Sequence, residues 1–169
     1  MEFNRIHQEL VQNAEIIRSL TAGISQEEAT SKPSPESWSV LEVICHLHDL
    51  ECEDFRPRLK DMLDGTAAKW AMIHPKSWVE ARKYNSRNFE EMRNAFLAER
   101  SKSLNWLQTL PNPNWEVIYS DDYGSMQAGD LFVSWAAHDN LHIRQLVELR
   151  HARIVLLAEP YEVTYAGQW

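Results

Sequence analysis

The chain is poor in the residues that interrupt or cross-link a fold. It has five glycines and two cysteines in 169 residues. No apolar run approaches the ~20 residues that a membrane span needs. Nor is there a basic run: the formal net charge is −8, so the electrostatic footprint of a duplex nucleic-acid binder is missing. Cys45 and Cys52 stand seven positions apart within one periodic segment. On a helix their Cα atoms would lie ~10.5 Å apart, too far for a disulfide, and free thiols in a reducing cytoplasm are expected. The opening MEFNRIHQEL is amphipathic and charged, unlike a secretory signal. Scarce glycine and long periodic segments point to an all-α protein, read as a single domain over 1–169.

What is present is helical periodicity, most informative from Leu131 to Arg150. Leu131, Trp135, His138, His142, Gln145 and Leu149 recur at intervals of four, three, four, three and four. That is the inward seam of a bundle helix, with two imidazoles where Leu or Ile is expected. His138 and His142, one turn apart on one face, can each give a metal one ring nitrogen if a third ligand comes from elsewhere. Two half-buried histidines bonded to neighbouring carboxylates or carbonyls would fit the same spacing, which is common by accident.

Four helices are expected, near 3–21, 39–65, 81–110 and 126–150. The first has the seam Phe3, Ile6, Leu10, Asn13, Ile17 and Leu20, with His7 beside it and partly exposed. QEEATSK can add one turn before Pro33 and Pro35 forbid a continuous helix. Ser39 and Glu42 form a capping box for the second helix, with Trp38 and Val43 as its hydrophobic staple, and Pro57 should kink or break it. On that helix Val40, Leu41, Ile44, Leu47 and Phe55 define the apolar face. Periodicity places His48 inside this face and His46 on the far side, near Glu42, Asp49 and Glu53. A separate site made of Cys45, His48 and Cys52 would need a break in the helix.

The aperiodic stretch from Thr66 to Glu80 could reach ~50 Å, enough to run the length of a bundle. Such a crossover allows the third helix, with seam Phe89, Met92, Phe96, Ser103, Leu107 and Leu110, to run parallel to the second. After it comes a polar loop, PNPNWEVIYSDDYGS, with a short extended stretch. The apolar tail beyond His151 should pack back on the bundle.

WSVLEVICHLHDLE, followed about ninety residues later by GSMQAGDLFVSWAAHDNLHIRQLVELR, resembles the DinB-like superfamily of metal-binding four-helix bundles. There a Trp opens helix two, a His eight residues on is the first ligand, and an H-x-x-x-H on helix four supplies two more. Here these are Trp38, His46, His138 and His142, with Gln145 three residues further, and the terminal YAGQW is similar to the family's chain end. The resemblance implies an up-down-down-up bundle. It favours His46 over His48 as the helix-two ligand, against the periodicity.

It also implies one divalent metal, zinc or nickel foremost, with iron, manganese or copper as other options. Two chemistries follow from the resemblance. One is transfer of a low-molecular-weight thiol (bacillithiol, mycothiol or glutathione) onto an electrophile, the other metal-dependent hydrolysis. Asp139 and His48 are candidate catalytic helpers, Asp49 and Glu42 candidate acceptors for the ligand rings, and Trp38, Trp78 and Trp135 candidate pocket walls. A cytoplasmic homodimer acting on a small molecule, free of nucleic acid and membrane, is expected. Its interface would use Phe132, Ile143 and Leu146, which lie off the ligand seam. The alternative is a non-catalytic, metal-stabilised stress-response or binding module.

Overall fold

Side-chain caps set where several of the helices begin in the computed structural model, which describes residues 2–167. The last two residues of the YAGQW end, Gln168 and Trp169, lie outside that range. Helix α1 spans Phe3–Leu20 and buries His7, Leu10, Asn13, Ala14 and Ile17. His7 is thus buried and not partly exposed; its Nε2 lies 3.2 Å from the Leu104 carbonyl. The short α2, Gln26–Thr30, has its own capping box from Ser25 and Glu28.

The second expected helix divides in two. Helix α3 (Val40–Glu53) starts where expected: Ser39 Oγ accepts from Glu42 N at 3.1 Å and Ser39 N donates to Glu42 Oε2 at 2.9 Å. It stops at Asp54 (φ −125, ψ −86), and α4 (Phe55–Asp64) follows until Gly65 caps it in the left-handed region. The break precedes Pro57 by three residues. Pro57 thereby falls in the first turn of a new helix, where a missing N–H costs nothing.

The third helix is shorter than its expected 81–110. The connection holds a helix α5 (Pro75–Ala81), opened by Pro75, and a 3-10 turn at Tyr84–Ser86. Lys83, at φ +50, interrupts helical geometry. Only at Asn88, whose side chain accepts from Glu91 N at 2.9 Å, does α6 (Phe89–Gln108) begin. The extended stretch is a hairpin of β1 (Ile118–Asp121) and β2 (Gly124–Gln127). Pairing through Gln127 delays α7 to Ala128, and α7 then runs 30 residues to Leu157. The tail beyond His151 therefore continues the helix instead of packing back, and Ile154, Val155, Leu156 and Leu157 are exposed. No helix among the described residues is long and apolar enough to cross a membrane.

α1, α3–α4, α6 and α7 form the bundle. Leu10 O and Thr21 meet Arg100 and Arg93, so α1 and α6 run oppositely. Glu51 meets Arg100 and Arg56 meets Glu99 and Ser103, while residues 40–47 share a core cluster with Phe89 and Phe96. α3–α4 and α6 therefore ascend together, as the long crossover permits. Asn13 meets Ala136 and Arg150 meets Leu20 O, so α1 and α7 also ascend together.

The core is stacked in layers. Ile17, Leu41, Ile44, Leu47, Phe96 and Leu146 pack at one end. Leu10, Leu59, Leu107, Phe132 and Trp135 pack at the other. Between them lie Asn13, Glu51, Arg100, Asp139 and the metal-ligand candidates. Phe132 and Leu146 are spent in this chain's own core, with Ile143 packed against it. Phe132 and Leu146 therefore offer no surface to a second copy, whereas Ile143 is half-buried.

Candidate metal centre

Two helices supply three imidazoles to one point. The antiparallel crossing of α3 and α7 sets His46 opposite the i, i+4 pair His138 and His142. His46 Nε2 lies 3.4 Å from His138 Nε2, and His142 Nε2 lies 3.1 Å from His138 Nε2. All three offer a ring nitrogen within 4.8 Å of one another, and they form the one such group among the described residues. Ligand nitrogens about 2.0–2.1 Å from a tetrahedral ion stand roughly 3.3 Å apart, so the spacing suits a metal.

The surroundings hold the rings neutral and aimed. Gln145 Oε1 lies 2.8 Å from His142 Nδ1. Accepting the Nδ1 proton leaves the Nε2 lone pair facing the cluster. Trp38 stacks on His142 (ring centroids 6.2 Å, 6° between planes) and meets His46 edge-on at 5.1 Å. Phe55 meets His138 at 5.3 Å. Burial, then the neighbouring His142 and His138 rings, push His46 down to about 3. Burial, then His142 and Arg100, push His138 down to about 3. Burial also lowers His142, against the Gln145 hydrogen bond and Asp139. Three neutral rings with converging acceptors cannot all satisfy one another, whereas a single cation takes every lone pair. The donor set fits a divalent metal. His46 Nδ1 is buried with no hydrogen-bond partner among the described residues.

The other nominated residues go elsewhere. His48 points away, with Nδ1 2.9 Å from Asp49 Oδ1 and Nε2 3.7 Å from Cys52 Sγ. The helical wheel misjudged this helix because α3 is central: residues 40–47 are buried on every face. Both cysteines are free. Asp49 accepts from Tyr84 Oη at 2.6 Å and Arg82 at 2.5 Å, and Glu42 is held by its cap and by Lys32 at 2.7 Å. Neither is hydrogen-bonded to a ligand ring. Trp78 lies under Arg82, its ring centroid 3.8 Å from the guanidinium carbon.

Asp139 is a member of a network that periodicity overlooked. Arg100 Nη1 and Nη2 donate to its two oxygens at 2.6 and 2.8 Å, and Arg100 Nε donates to Glu51 Oε1 at 2.8 Å. Trp135 Nε1 and Ser103 Oγ complete Glu51 at 2.9 and 2.6 Å. Trp135 is thus core and not pocket wall. The signal was there to read. Arg100 sits in the gap between seam residues Phe96 and Ser103, and Glu51 in the gap between Leu47 and Phe55, so opposite charges fill matching holes. On the outer side, His142, Gln145 and Trp38 open onto a cavity of about 730 Å³ that Glu36, Lys76, Glu148 and His151 also line.

A family model described as the DinB superfamily matches residues 9–146. Among solved structures, the chain is similar to YfiT from Bacillus subtilis, with a TM-score of 0.77 at 16% identity, over 89% of this chain and 86% of that one. That protein is described as a probable metal-dependent hydrolase with an unusual four-helix bundle topology. No curated protein matches.

Proposed function

This chain belongs to the DinB superfamily, and we propose on that footing that it is a metal-dependent hydrolase of a small molecule. His46, His138 and His142 would hold one divalent ion, zinc or nickel. The observation that carries the reading is the convergence of three neutral ring nitrogens beside an open cavity. A catalytic site keeps a coordination position free, and three protein ligands do so. When bound, such a metal supplies Lewis acidity and draws a water or a thiol toward its nucleophilic, deprotonated form.

The chain's own groups divide the remaining work. Gln145 fixes the tautomer and tilt of His142. Trp38 walls the cavity and screens His142 and His46 from solvent on one side. Asp139 and Asp49 are consumed by Arg100 and by Arg82 with Tyr84, so neither is free to accept a proton from a nucleophile. Glu36 and Glu148 line the cavity, Glu148 with an ion pair to Arg144 at 3.4 Å, and are the carboxylates placed to do so.

One observation favours a second reading, thiol transfer. No carboxylate is hydrogen-bonded to the histidine cluster among the described residues. A thiol ionises near 8.5 and needs less help from a base than water does.

The test is turnover by metal-loaded protein of an activated ester in water, beside turnover of a chloro-substituted electrophile with glutathione or bacillithiol. Hydrolysis lost on chelation and in His138→Ala is the expected result. Turnover that depends on thiol selects the second reading. Protein that takes up no metal, or shows neither activity when loaded, overturns the proposal.

A further inference from the structure

The seam that bears the histidines continues past them. On α7, His138, His142, Gln145, Leu149, Ala152 and Leu156 recur at intervals of four, three, four, three and four. They form one stripe on one face. Below His138 the stripe is buried by the bundle. Leu149 still packs against the core, but beyond it the partners run out, because α1 stops at Leu20 and α3 starts only at Val40. At ~1.5 Å per residue α7 is roughly 45 Å long and α1 roughly 27 Å, so the end of α7 overhangs.

The overhang is concave. Leu149, Ala152 and Leu156 wall a second cavity of about 650 Å³, closed across from them by Ile24, Pro33 and Val40. Pro33, Leu149 and Ala152 line both this cavity and the one at His142. The two cavities therefore adjoin at these residues, one beside the metal-ligand candidates and the other along the end of α7.

The rim says what kind of group fits. Arg153 is paired with Glu28 through Nη2, its Nε being buried without a partner among the described residues, and Lys32 is paired with Glu42 at 2.7 Å. Arg150 donates to Leu20 O at 3.1 Å. Glu27 and Glu159 on the same rim repel an anion. An uncharged apolar group meets none of these costs and gains the walls.

We propose that the second cavity is a specificity pocket for an uncharged alkyl or aryl group of the same substrate whose reacting end meets the three histidines. The substrate is therefore a two-part molecule, polar at the metal and apolar along the end of α7. The polar end rests on the metal-site reading; the apolar pocket does not.

Alkyl hydroxamates from acetyl to octanoyl, titrated calorimetrically into metal-loaded protein, test both parts. Burying each methylene is worth about 0.8 kcal/mol, so the dissociation constant should fall up to about fourfold per added carbon. Ala152→Trp at the junction and Leu156→Lys at the far end should both flatten that slope, and Leu156→Lys, which touches only the second cavity, should leave acetohydroxamate binding unchanged. Leu156 is 63% exposed, so its replacement leaves the core intact.

A dissociation constant independent of chain length, or a slope that neither variant alters, overturns the pocket. Metal-stripped protein provides the separating arm, with Nile red bound and then displaced by 1-octanol. Displacement there with no hydroxamate binding leaves the pocket standing and removes the metal reading. Hydroxamate binding without length dependence and without Nile red uptake does the reverse. A dimer in sedimentation that Leu156→Lys dissociates, together with no apolar binding, assigns the stripe to a second copy and overturns the proposal.

Discussion

Two polar clusters sit side by side in the middle of this bundle, joined by consecutive residues of α7, and they have opposite characters. Around Arg100, every donor has an acceptor and every carboxylate oxygen a partner, drawn from α1, α3, α6 and α7. Around His138, three acceptors of one kind point at one another and the outer side opens to a cavity. A satisfied network in low dielectric is a structural fastener. An unsatisfied one with an open side is prepared for something to bind. His138 and Asp139 are adjacent residues, so the contrast comes from which neighbours face each side chain.

The largest effect should come from breaking the closed cluster. Arg100→Leu leaves Glu51 and Asp139 buried without their cation. We expect a loss of about 3–5 kcal/mol in urea denaturation, with one metal per chain still bound by the protein that remains folded. Metal loss without destabilisation would reverse the roles of the two clusters.

Acid should act on the open cluster. His46 and His138 stay neutral in the folded apoprotein down to about 3, yet in the unfolded chain each takes a proton near 6.5. The unfolded state thus binds more protons across that window, and apoprotein stability falls as pH drops from about 6.5 toward 3. Bound metal, which requires the same neutral rings, opposes the loss until lower pH. Urea midpoints at several pH values should show a flatter profile in a variant lacking both rings. An equally steep profile there would place the acid sensitivity elsewhere.

Removing the acceptor that orients a ligand is a smaller perturbation. Gln145→Ala should weaken metal affinity about 10–100-fold, measured by competition with a chelating dye, while the melting temperature of the apoprotein barely moves. His48→Ala should have the smallest effect of all. Metal content measured by elemental analysis should stay unchanged, whereas His46→Ala should reduce it sharply. The opposite outcome would make His48 the ligand.

Much of this arrangement was legible in the chain. The capping box of Ser39 and Glu42, the break near Pro57, the seam of α7 and the pairing of His138 with His142 all follow from local spacing. Local rules are enough there because capping and helical periodicity involve residues no more than four apart. The start of α6 was misplaced because Lys83 and Asn88 end one helical stretch and cap the next, and Tyr84 between them is held by Asp49 from α3. Periodicity counted the whole segment as one helix. The overhang of α7 was hidden for a similar reason: whether Leu149 and Leu156 face a core depends on where α1 and α3 end.

The sequence by itself determined the mostly helical character, the caps and the face of α7 that carries two imidazoles, since each is a property of a few neighbouring residues. It marked the holes that Arg100 and Glu51 fill, although nothing local says that the two meet. The motif around Trp38 already favoured His46 over His48, against the helix's own periodicity, but tertiary structure alone decided that Asp139 faces Arg100 while His138 faces the histidines. It also left the far end of the seam lining an open cavity. Helix α3 is enclosed on nearly all sides, so its own hydrophobic pattern has no preferred face. Only the packing of α6 against one side and α7 against the other assigns each of its side chains a partner.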